Sequence, residues 1–123
     1  MIPKFKAFLK ETEQIVDVET IHFELGVVKV NGIELYHFED IIIMQSTGLH
    51  DEQGVEIFEG YIVEIIYNGE PFTGVVVYDL GEADFKATNG HDDYGNNFQY
   101  LTVGESIEVI GNVHQHHELL VEK

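Results

Sequence analysis

Residues 26–38 read GVVKVNGIELYHF, and this segment is the strongest indication of the fold class. The dipeptide Asn31-Gly32 accepts the positive φ angles of a two-residue type I′ turn, whose twist matches that of a β-hairpin. Apolar and polar residues alternate on both sides of it, as expected for strands with one buried face. The apolar positions of this alternation are Val28, Val30, Ile33 and Leu35. The segment therefore predicts a hairpin.

Outside this hairpin, short runs of β-branched and aromatic residues predict further strands. They lie at 41–44, 61–67, 72–78 and 107–110. Residues 68–71, Asn-Gly-Glu-Pro, separate two of these runs and predict a second hairpin. No segment keeps a helical period over the ~12 residues that an independent helix needs; only 118–120 resembles one helical turn. The pattern predicts an all-β protein, with a small barrel or sandwich following an N-terminal hairpin region.

A change of composition near residue 45 is the best candidate for an internal boundary. The N-terminal portion holds four of the six Lys and the first hairpin. We therefore expect an N-terminal β subdomain at 1–45 and a small barrel at 46–123, joined in one compact unit. A chain of 123 residues is the usual size of a single domain.

The charge balance excludes direct nucleic-acid binding. The chain has 23 acidic and 6 basic residues, a formal net charge of −17, and no Arg. No cation occurs between Lys29 and Lys86 or between Lys86 and Lys123. Binders of DNA or RNA neutralise phosphates with clustered cations, and anionic membranes attract the same charges. A basic protein is the partner that such a surface attracts.

The absence of Cys removes disulfides, thiolate catalysis and zinc–thiolate sites. The longest wholly aliphatic run is 41–44, far short of the ~20 residues that span a bilayer. The first residues, Met1-Ile2-Pro3-Lys4-Phe5-Lys6, do not lead into an apolar run of signal-peptide length. We expect a protein of the cytoplasm that does not bind membranes.

The most distinctive stretch is residues 45–63, QSTGLHDEQGVEIFEGYIV. Within it, Asp51 is suited to cap a turn through its side chain, and Gly54 is suited to a left-handed position. Gly60 lets the chain turn sharply into the strand that starts at Tyr61. Ile57, Ile62 and either Ile65 or Val63 have the character of barrel-interior residues. On these grounds the stretch is scaffold, without catalytic chemistry.

This stretch resembles the signature of the YopX family, small proteins encoded by bacteriophages and prophages. The similarity covers Ser46-Thr47-Gly48-Leu49, Asp51-Glu52-Gln53-Gly54 and 57–63. A second block, 109–113 followed by 118–120, resembles the close of the family pattern, and 3–8 resembles its start. The chain departs from the pattern at Tyr61, where Asp is usual, at Phe8, where Trp is usual, and at His116-His117, where Asn-Pro is common. None of these changes removes a turn glycine.

The resemblance implies an all-β fold whose later part is an SH3-like barrel, and a phage or prophage origin in a bacterial host. It brings no established activity, catalytic residue or cofactor. The residues that carry it are expected to be structural. They are Thr47, Gly48, Leu49, Asp51, Gly54, Ile57, Gly60, Val63, Gly111 and Asn112.

Histidines are the candidate metal ligands of this chain. His114 and His116 would share a face if the preceding strand continued through them, and two imidazoles so spaced can approach one metal. The sequence identifies no third ligand, so solvated turn histidines are the favoured interpretation. Residues 91–97, HDDYGNN, concentrate oxygen ligands but lack the spacing of a calcium loop, and we expect a polar surface loop.

The favoured functional hypothesis is a non-enzymatic module that binds an unknown host or phage protein or takes part in an assembly. Aromatic side chains would then line a surface groove. The candidates are Phe58, Tyr61, Tyr67, Phe72, Tyr78, Tyr94, Phe98 and Tyr100. The alternatives are an acidic mimic of nucleic acid that inhibits a basic host protein, a metal-dependent enzyme, and a homo-oligomer formed through strand edges.

Overall fold

The computed structural model describes residues 4–89 and 98–119 and confirms the prediction of an all-β protein. The chain forms two compact units, Met1–Ser46 and Thr47–Lys123. Within the described ranges no helix combines the length and apolar character needed to cross a membrane. The expected polar loop at 91–97 lies outside the described residues.

The first unit is built from short antiparallel strands. They are β1 (Phe5–Leu9), β2 (Gln14–Asp17), β3 (Thr20–His22), β4 (Val27–Val30), β5 (Glu34–His37) and the start of β6 (Ile41–His50). Strand β1 pairs with β2 on one side and β6 on the other, while β3, β4 and β5 form a separate sheet in that order. A single 3-10 turn, Phe38–Asp40, leads from β5 into β6.

The core of the first unit is formed by alternate residues of these strands. Because successive side chains of a strand point to opposite faces, one face of each sheet collects the aliphatic residues. The buried members are Ala7, Leu9, Val28, Val30 and Ile41. Tyr36 and Phe38 pack against them from β5 and the 3-10 turn.

The first hairpin is present, but its predicted two-residue turn is wrong. Val30 lies opposite Glu34, so the loop consists of three residues, 31–33. Asn31 and Gly32 have φ angles of 52° and 83°, as the dipeptide suggested. Two hydrogen bonds hold the longer loop, from Asn31 Nδ2 to Glu34 Oε1 at 3.1 Å and from Gly32 N to a Glu19 carboxylate oxygen at 3.0 Å.

This register decides which side chains of β5 are buried. A shift of one residue moves every side chain of a strand to the other face. Here Val28 lies opposite Tyr36, and the Tyr36 ring packs on the core. Leu35 consequently faces outward and is 60% exposed, while Ile33 lies in the loop and is 86% exposed. The expectation that Ile33 and Leu35 form the buried face is therefore wrong.

The second unit contains the remaining strands. They are β7 (Glu56–Phe58), β8 (Tyr61–Tyr67), β9 (Glu70–Asp79), β10 (Asp84–Thr88), β11 (Phe98–Tyr100) and β12 (Ser106–Asn112). Five of them form a curled half-barrel in the order β11-β10-β9-β8-β12, and β7 pairs with β6. A short 3-10 turn, His117–Leu119, follows β12.

The hairpin of β8 and β9 has the two-residue turn that the first hairpin lacks. Tyr67 lies opposite Glu70, and Asn68 and Gly69 have φ angles of 54° and 76°. These positive angles are those of a type I′ turn. The predicted second hairpin is confirmed, with its second strand starting at Glu70.

The concave face of the half-barrel encloses the core of the second unit. Its fully or almost fully buried residues are Ile57, Val63, Ile65, Val76, Ala87 and Leu101. Tyr61, Phe72 and Phe85 pack against this cluster at its margin. The residues of opposite parity on β8, β9 and β12 lie on the other face of the sheet, which carries the carboxylates of Glu64 and Glu108.

Candidate functional site

Asp51 organises the loop between β6 and β7. Its side chain is buried, with 7% of the residue exposed. Oδ1 accepts hydrogen bonds from the backbone N–H groups of Gln53 at 2.9 Å and Val55 at 2.8 Å. Oδ2 accepts one from the backbone N–H of Val109 at 2.9 Å, 58 residues away in the sequence. The predicted turn cap thus also links the loop to strand β12 by a hydrogen bond.

The electrostatic environment of Asp51 favours its ionised form. Burial by itself raises the pKa of this carboxyl, because it removes water from the charge. The backbone N–H groups of Val109, Val55 and Gln53 act in the opposite direction, and together with that of Gly54 they leave the pKa below its ordinary value. Asp51 is therefore a buried, fully hydrogen-bonded carboxylate, which suits a structural role rather than proton transfer.

The loop that Asp51 organises covers one edge of the half-barrel. Strand β12 is the last strand of its sheet. On its outer side, the Ile107 carbonyl accepts a hydrogen bond from Glu52 N at 3.2 Å, and the Val109 N–H is taken by Asp51. The register of β12 against β8 shifts between Val109 and Gly111, which marks a β-bulge. Bulges and covering loops both prevent a sheet edge from pairing with another chain.

Thr47 and Gly48 shape the approach to this loop. The Thr47 hydroxyl donates to the Ile57 carbonyl at 2.8 Å and accepts from Leu49 N at 3.1 Å. Gly48 has a φ angle of 82°, which favours glycine. Leu49 is 36% exposed beside them. Two of these three residues therefore have a visible structural task, and Leu49 contributes apolar surface.

The remaining glycines and aliphatics of the signature stretch connect it to the sheet. Gly54 and Gly60 both have a φ angle of 86°. Gly60 N donates to the Val76 carbonyl at 2.9 Å, and the Gly60 carbonyl accepts from Val113 N at 2.8 Å. Ile57 and Val63 are completely buried in the core. The structure thus brings the two sequence blocks at 46–63 and 109–113 into direct contact.

Asn112 closes β12 and builds the turn after it. Its side-chain oxygen accepts from His114 N at 3.1 Å and Gln115 N at 2.9 Å, and its amide donates to Gln115 Oε1 at 2.9 Å. Beside it, a Cβ on Gly111 would meet His116 Nδ1 and Leu119 Cδ1 at 2.9 Å. Gly111 and Asn112 are therefore fixed by the compact turn that follows the strand.

The candidate metal ligands His114 and His116 lie in this turn and not on a strand. Strand β12 ends at Asn112, so the condition for the two rings to share a strand face is not met. His116 Nδ1 accepts a hydrogen bond from Asn112 N at 3.1 Å, and burial lowers the pKa of His114. Across the described residues, no group of three or more His, Asp or Glu side chains is arranged to hold a metal.

An acidic row crosses the outer face of the half-barrel. We use this name for Glu108, Glu64 and Thr73, which lie directly opposite one another on β12, β8 and β9. Their neighbours of opposite parity, Val63 and Ile65, point into the core. Like charges directly opposite on adjacent strands destabilise a sheet. The row therefore places two carboxylates side by side at an energetic cost within the isolated chain.

Lys86 forms a second charged cluster that sequence reasoning missed. The residue is only 3% exposed. Its Nζ lies 2.7 Å from Asp79 Oδ2 and 3.0 Å from Glu82 Oε1. The rings of Phe98 and Tyr100 cover the ammonium, with centroids at 4.2 and 5.3 Å. The cluster fastens the short strand β11 to β10.

The pKa values in this cluster follow from its contacts. The hydrogen bond to Asp79 is the main reason why the pKa of Lys86 is raised, and the same contact lowers the pKa of Asp79. The Tyr100 hydroxyl donates to Glu82 Oε1 at 3.1 Å, and this bond raises the pKa of Tyr100. Lys86 is therefore held as a cation, which excludes it as a nucleophile at neutral pH.

Most of the aromatic candidates that the structure describes are buried or cover Lys86 and do not line a groove. Phe58 is 3% exposed, and Tyr61 and Phe72 pack against the core. Phe98 and Tyr100 cover Lys86, and Tyr94 lies outside the described residues. Tyr67 and Tyr78 are about two-fifths exposed, at 42% and 39%. The outer face of the half-barrel is therefore distinguished by its carboxylates, not by an aromatic groove.

Two features of the sequence point to the Lys86 cluster and to the acidic row. Lys86 is the one cation in the 93 residues between Lys29 and Lys123, and a lone Lys among carboxylates and aromatics indicates an ion pair. Glu64 and Glu108 each alternate with aliphatics in their strands, which places both on an outer face. Their direct juxtaposition depends on the pairing of β8 with β12, which no local pattern reveals.

Comparisons with known proteins agree with this structure. The chain matches the family described as YopX protein over residues 4–121. A crystal structure of protein EF1440 from Enterococcus faecalis is similar, with a TM-score of 0.64 and 26% sequence identity, and the match covers 98% of this chain and 99% of that chain. No curated protein matches the chain.

Proposed function

This chain belongs to the YopX protein family, and on that premise we propose that it is a non-enzymatic module that binds a basic protein partner. The observation that carries the proposal is the acidic row, in which Glu64 and Glu108 lie directly opposite each other on an outer sheet face. The repulsion between them is relieved when a cationic group of a partner lies between the carboxylates.

The net charge of the chain also favours a basic partner. A formal charge of −17 attracts cationic proteins over a distance set by ionic strength and speeds their encounter. A sharper form of the proposal is that the partner normally binds nucleic acid, for which the acidic surface substitutes. The origin in a phage or prophage, which the family resemblance implies, and the expected action in the cytoplasm of a bacterial host are part of the same proposal.

A charge-neutral variant of the acidic row tests the proposal. Immobilised wild-type protein and the double variant Glu64→Gln/Glu108→Gln are exposed to lysate of the bacterial host, and captured proteins are quantified by mass spectrometry. The matched control is Glu11→Gln/Glu24→Gln, which removes the same charge from exposed positions of the first unit. We expect basic proteins to be captured by wild type and control, and lost with the double variant.

The salt dependence of capture provides the second readout. Binding through the carboxylates of the acidic row weakens between about 50 mM and about 300 mM salt, because the Debye length shortens. A duplex oligonucleotide added as competitor displaces the captured protein if that protein normally binds nucleic acid. Capture that is equal in the two double variants, insensitive to salt, or at background level contradicts the proposal.

A further inference from the structure

The sheet of β3, β4 and β5 has an outer face without a carboxylate. Its two cross-strand rows, as the register gives them, are Thr20-Lys29-Leu35 and His22-Val27-His37. The opposite face holds Val28 and Val30, which are completely buried in the core of the first unit. On a chain with 23 acidic residues, this face carries one formal positive charge and no negative one.

Strand β5 leaves the edge of this sheet open. It is the last strand of the sheet, and among the described residues β4 is the strand that pairs with it. It has neither the Pro nor the Lys that commonly protects such edges, and Glu34 is the one formally charged residue of this four-residue strand. Instead, Leu35 is 60% exposed on it, and Ile33, just before it, is 86% exposed. Exposed aliphatics along an open edge are the usual signature of strand addition.

If two copies of this chain associate, the distribution of charge favours this face for the contact. Two chains of charge −17 repel each other, and most approaches bring carboxylates face to face. The outer face of β3-β4-β5 avoids this repulsion, because none of its six residues is acidic. Self-association of this chain is therefore least opposed where the aliphatic edge is also exposed.

Symmetry limits the possible registers. Antiparallel pairing of two identical strands about a two-fold axis requires that one residue lie opposite its own counterpart. With Glu34 at the centre, two carboxylates would face each other. With Leu35 at the centre, Leu35 packs on the partner's Leu35, and Ile33 lies opposite the partner's His37. This register joins the exposed aliphatics and leaves no carboxylate opposite a carboxylate.

We propose that two copies of this protein associate by antiparallel pairing of β5 with the partner's β5, centred on Leu35, to form one continuous six-stranded sheet. This interaction goes beyond the binding of a basic partner and uses the other compact unit. The dimer then has two acidic rows. A partner with repeated basic segments binds both rows at once and therefore with higher apparent affinity.

Sedimentation velocity over a range of concentrations tests the dimer. The variant Leu35→Glu is compared with Leu80→Glu, since Leu80 is also exposed, at 86%, and lies in the second unit. Both substitutions add one negative charge at an exposed aliphatic position, and circular dichroism verifies that both variants keep the β fold. We expect wild type and Leu80→Glu to dimerise alike, and Leu35→Glu to dimerise at least about tenfold more weakly.

Ionic strength separates this proposal from the proposed function. Salt screens the repulsion between two negative chains, so dimerisation strengthens with salt, while capture of a basic protein weakens. A wild-type protein that remains monomeric at all concentrations and salt levels overturns the dimer. So does equal weakening by Leu35→Glu and Leu80→Glu. Either result leaves capture through Glu64 and Glu108 as a separate question, since capture by the acidic row does not require a dimer.

Discussion

Two edge strands, β12 of the half-barrel and β5 of the three-stranded sheet, differ in how their outward sides are covered. At the edge of the half-barrel, β12 has its outward backbone groups taken by the loop of Asp51, through the Val109 N–H and the Ile107 carbonyl. At the edge of the three-stranded sheet, β5 presents Leu35 and Ile33 to solvent. One edge is closed by a buried carboxylate, and the other is open and apolar.

The comparison shows that carboxylates have different places in the two units. In the second unit, a buried carboxylate supplies the acceptors that close an edge, while the half-buried Glu64 and the exposed Glu108 form the acidic row. In the first unit, the outer face of β3-β4-β5 excludes carboxylates altogether. We interpret the closed, acidic unit as the one that binds a different protein, and the open, carboxylate-free face as the one that binds a second copy.

The largest expected effect comes from opening the closed edge. Asp51→Ala removes the acceptor of three backbone N–H groups and leaves a buried gap. Hydrogen bonds to a charged group contribute about 1.5–3 kcal/mol each, and since the freed N–H groups can recruit water, we expect a loss of about 3 kcal/mol in the free energy of unfolding. Urea denaturation followed by circular dichroism measures it.

The neighbouring exposed residue serves as the control for this substitution. Glu52→Ala removes a carboxylate from the same loop but keeps the backbone N–H that bonds Ile107. It should change the free energy of unfolding by less than about 0.5 kcal/mol. Equal losses for Asp51→Ala and Glu52→Ala would show that the buried carboxylate does not hold the loop on β12.

Acid should weaken the protein through the same carboxylate. Because the folded-state pKa of Asp51 lies below its ordinary value, its contribution is complete above the unfolded pKa of about 3.9 and is lost as the pH falls through the folded pKa. The pKa of Asp79 is also lowered, mainly by its hydrogen bond from Lys86, so Asp79 adds to the loss of stability at acid pH. Urea denaturation between about pH 5 and pH 2 should show a shallower acid limb in Asp51→Asn than in wild type.

The end of β12 gives an intermediate effect. Asn112→Ala removes the side chain that accepts from His114 N and Gln115 N and donates to Gln115. These are hydrogen bonds between neutral groups, so we expect a loss of about 1–2 kcal/mol in the free energy of unfolding. Asn112→Asp keeps the acceptor oxygen and should recover most of this loss. If both variants match wild type, the turn does not stabilise the strand end.

The smallest effects are expected on the outer faces of the sheets. Glu64→Gln/Glu108→Gln removes a like-charge cross-strand pair and should raise the free energy of unfolding by about 0.5 kcal/mol. Leu35→Glu, measured at concentrations where the protein is monomeric, should change it by less than about 0.5 kcal/mol. Thermal and urea denaturation check both values. A large loss in either variant would mean that its face is part of the folded core.

The two Asn-Gly hairpins show what the sequence could and could not predict. Both dipeptides adopt positive φ angles, and both hairpins form. At Asn68-Gly69 the turn has two residues, but at Asn31-Gly32 it has three, because this register lets Tyr36 pack on the core and Glu19 bind the loop. Local propensity determines the place of the turn, while tertiary packing determines the register and hence which aliphatics are exposed.

In the candidate site, too, local contacts could be predicted from the sequence and non-local contacts could not. Asp51 was predicted as a turn cap from its neighbours in the loop, and its bonds to Gln53 N and Val55 N confirm that role. Its bond to Val109 could not be predicted, because the two residues are 58 positions apart. The pairing of Glu64 with Glu108 is equally non-local. Composition predicted an acidic surface, but only the sheet order places these two carboxylates together.

A cysteine comparison tests most directly whether one edge is open and the other closed. The chain has no Cys, so single substitutions Leu35→Cys on β5 and Glu108→Cys on β12 report on each edge separately under mild oxidation. Two Cys form a disulfide when their Cβ atoms approach to about 3.5–4.5 Å. We predict that Leu35→Cys forms a disulfide-linked dimer at least about tenfold faster than Glu108→Cys, since in the proposed dimer β5 pairs with the partner's β5 and β12 does not. Equal rates, or faster linkage through Glu108→Cys, would contradict the account.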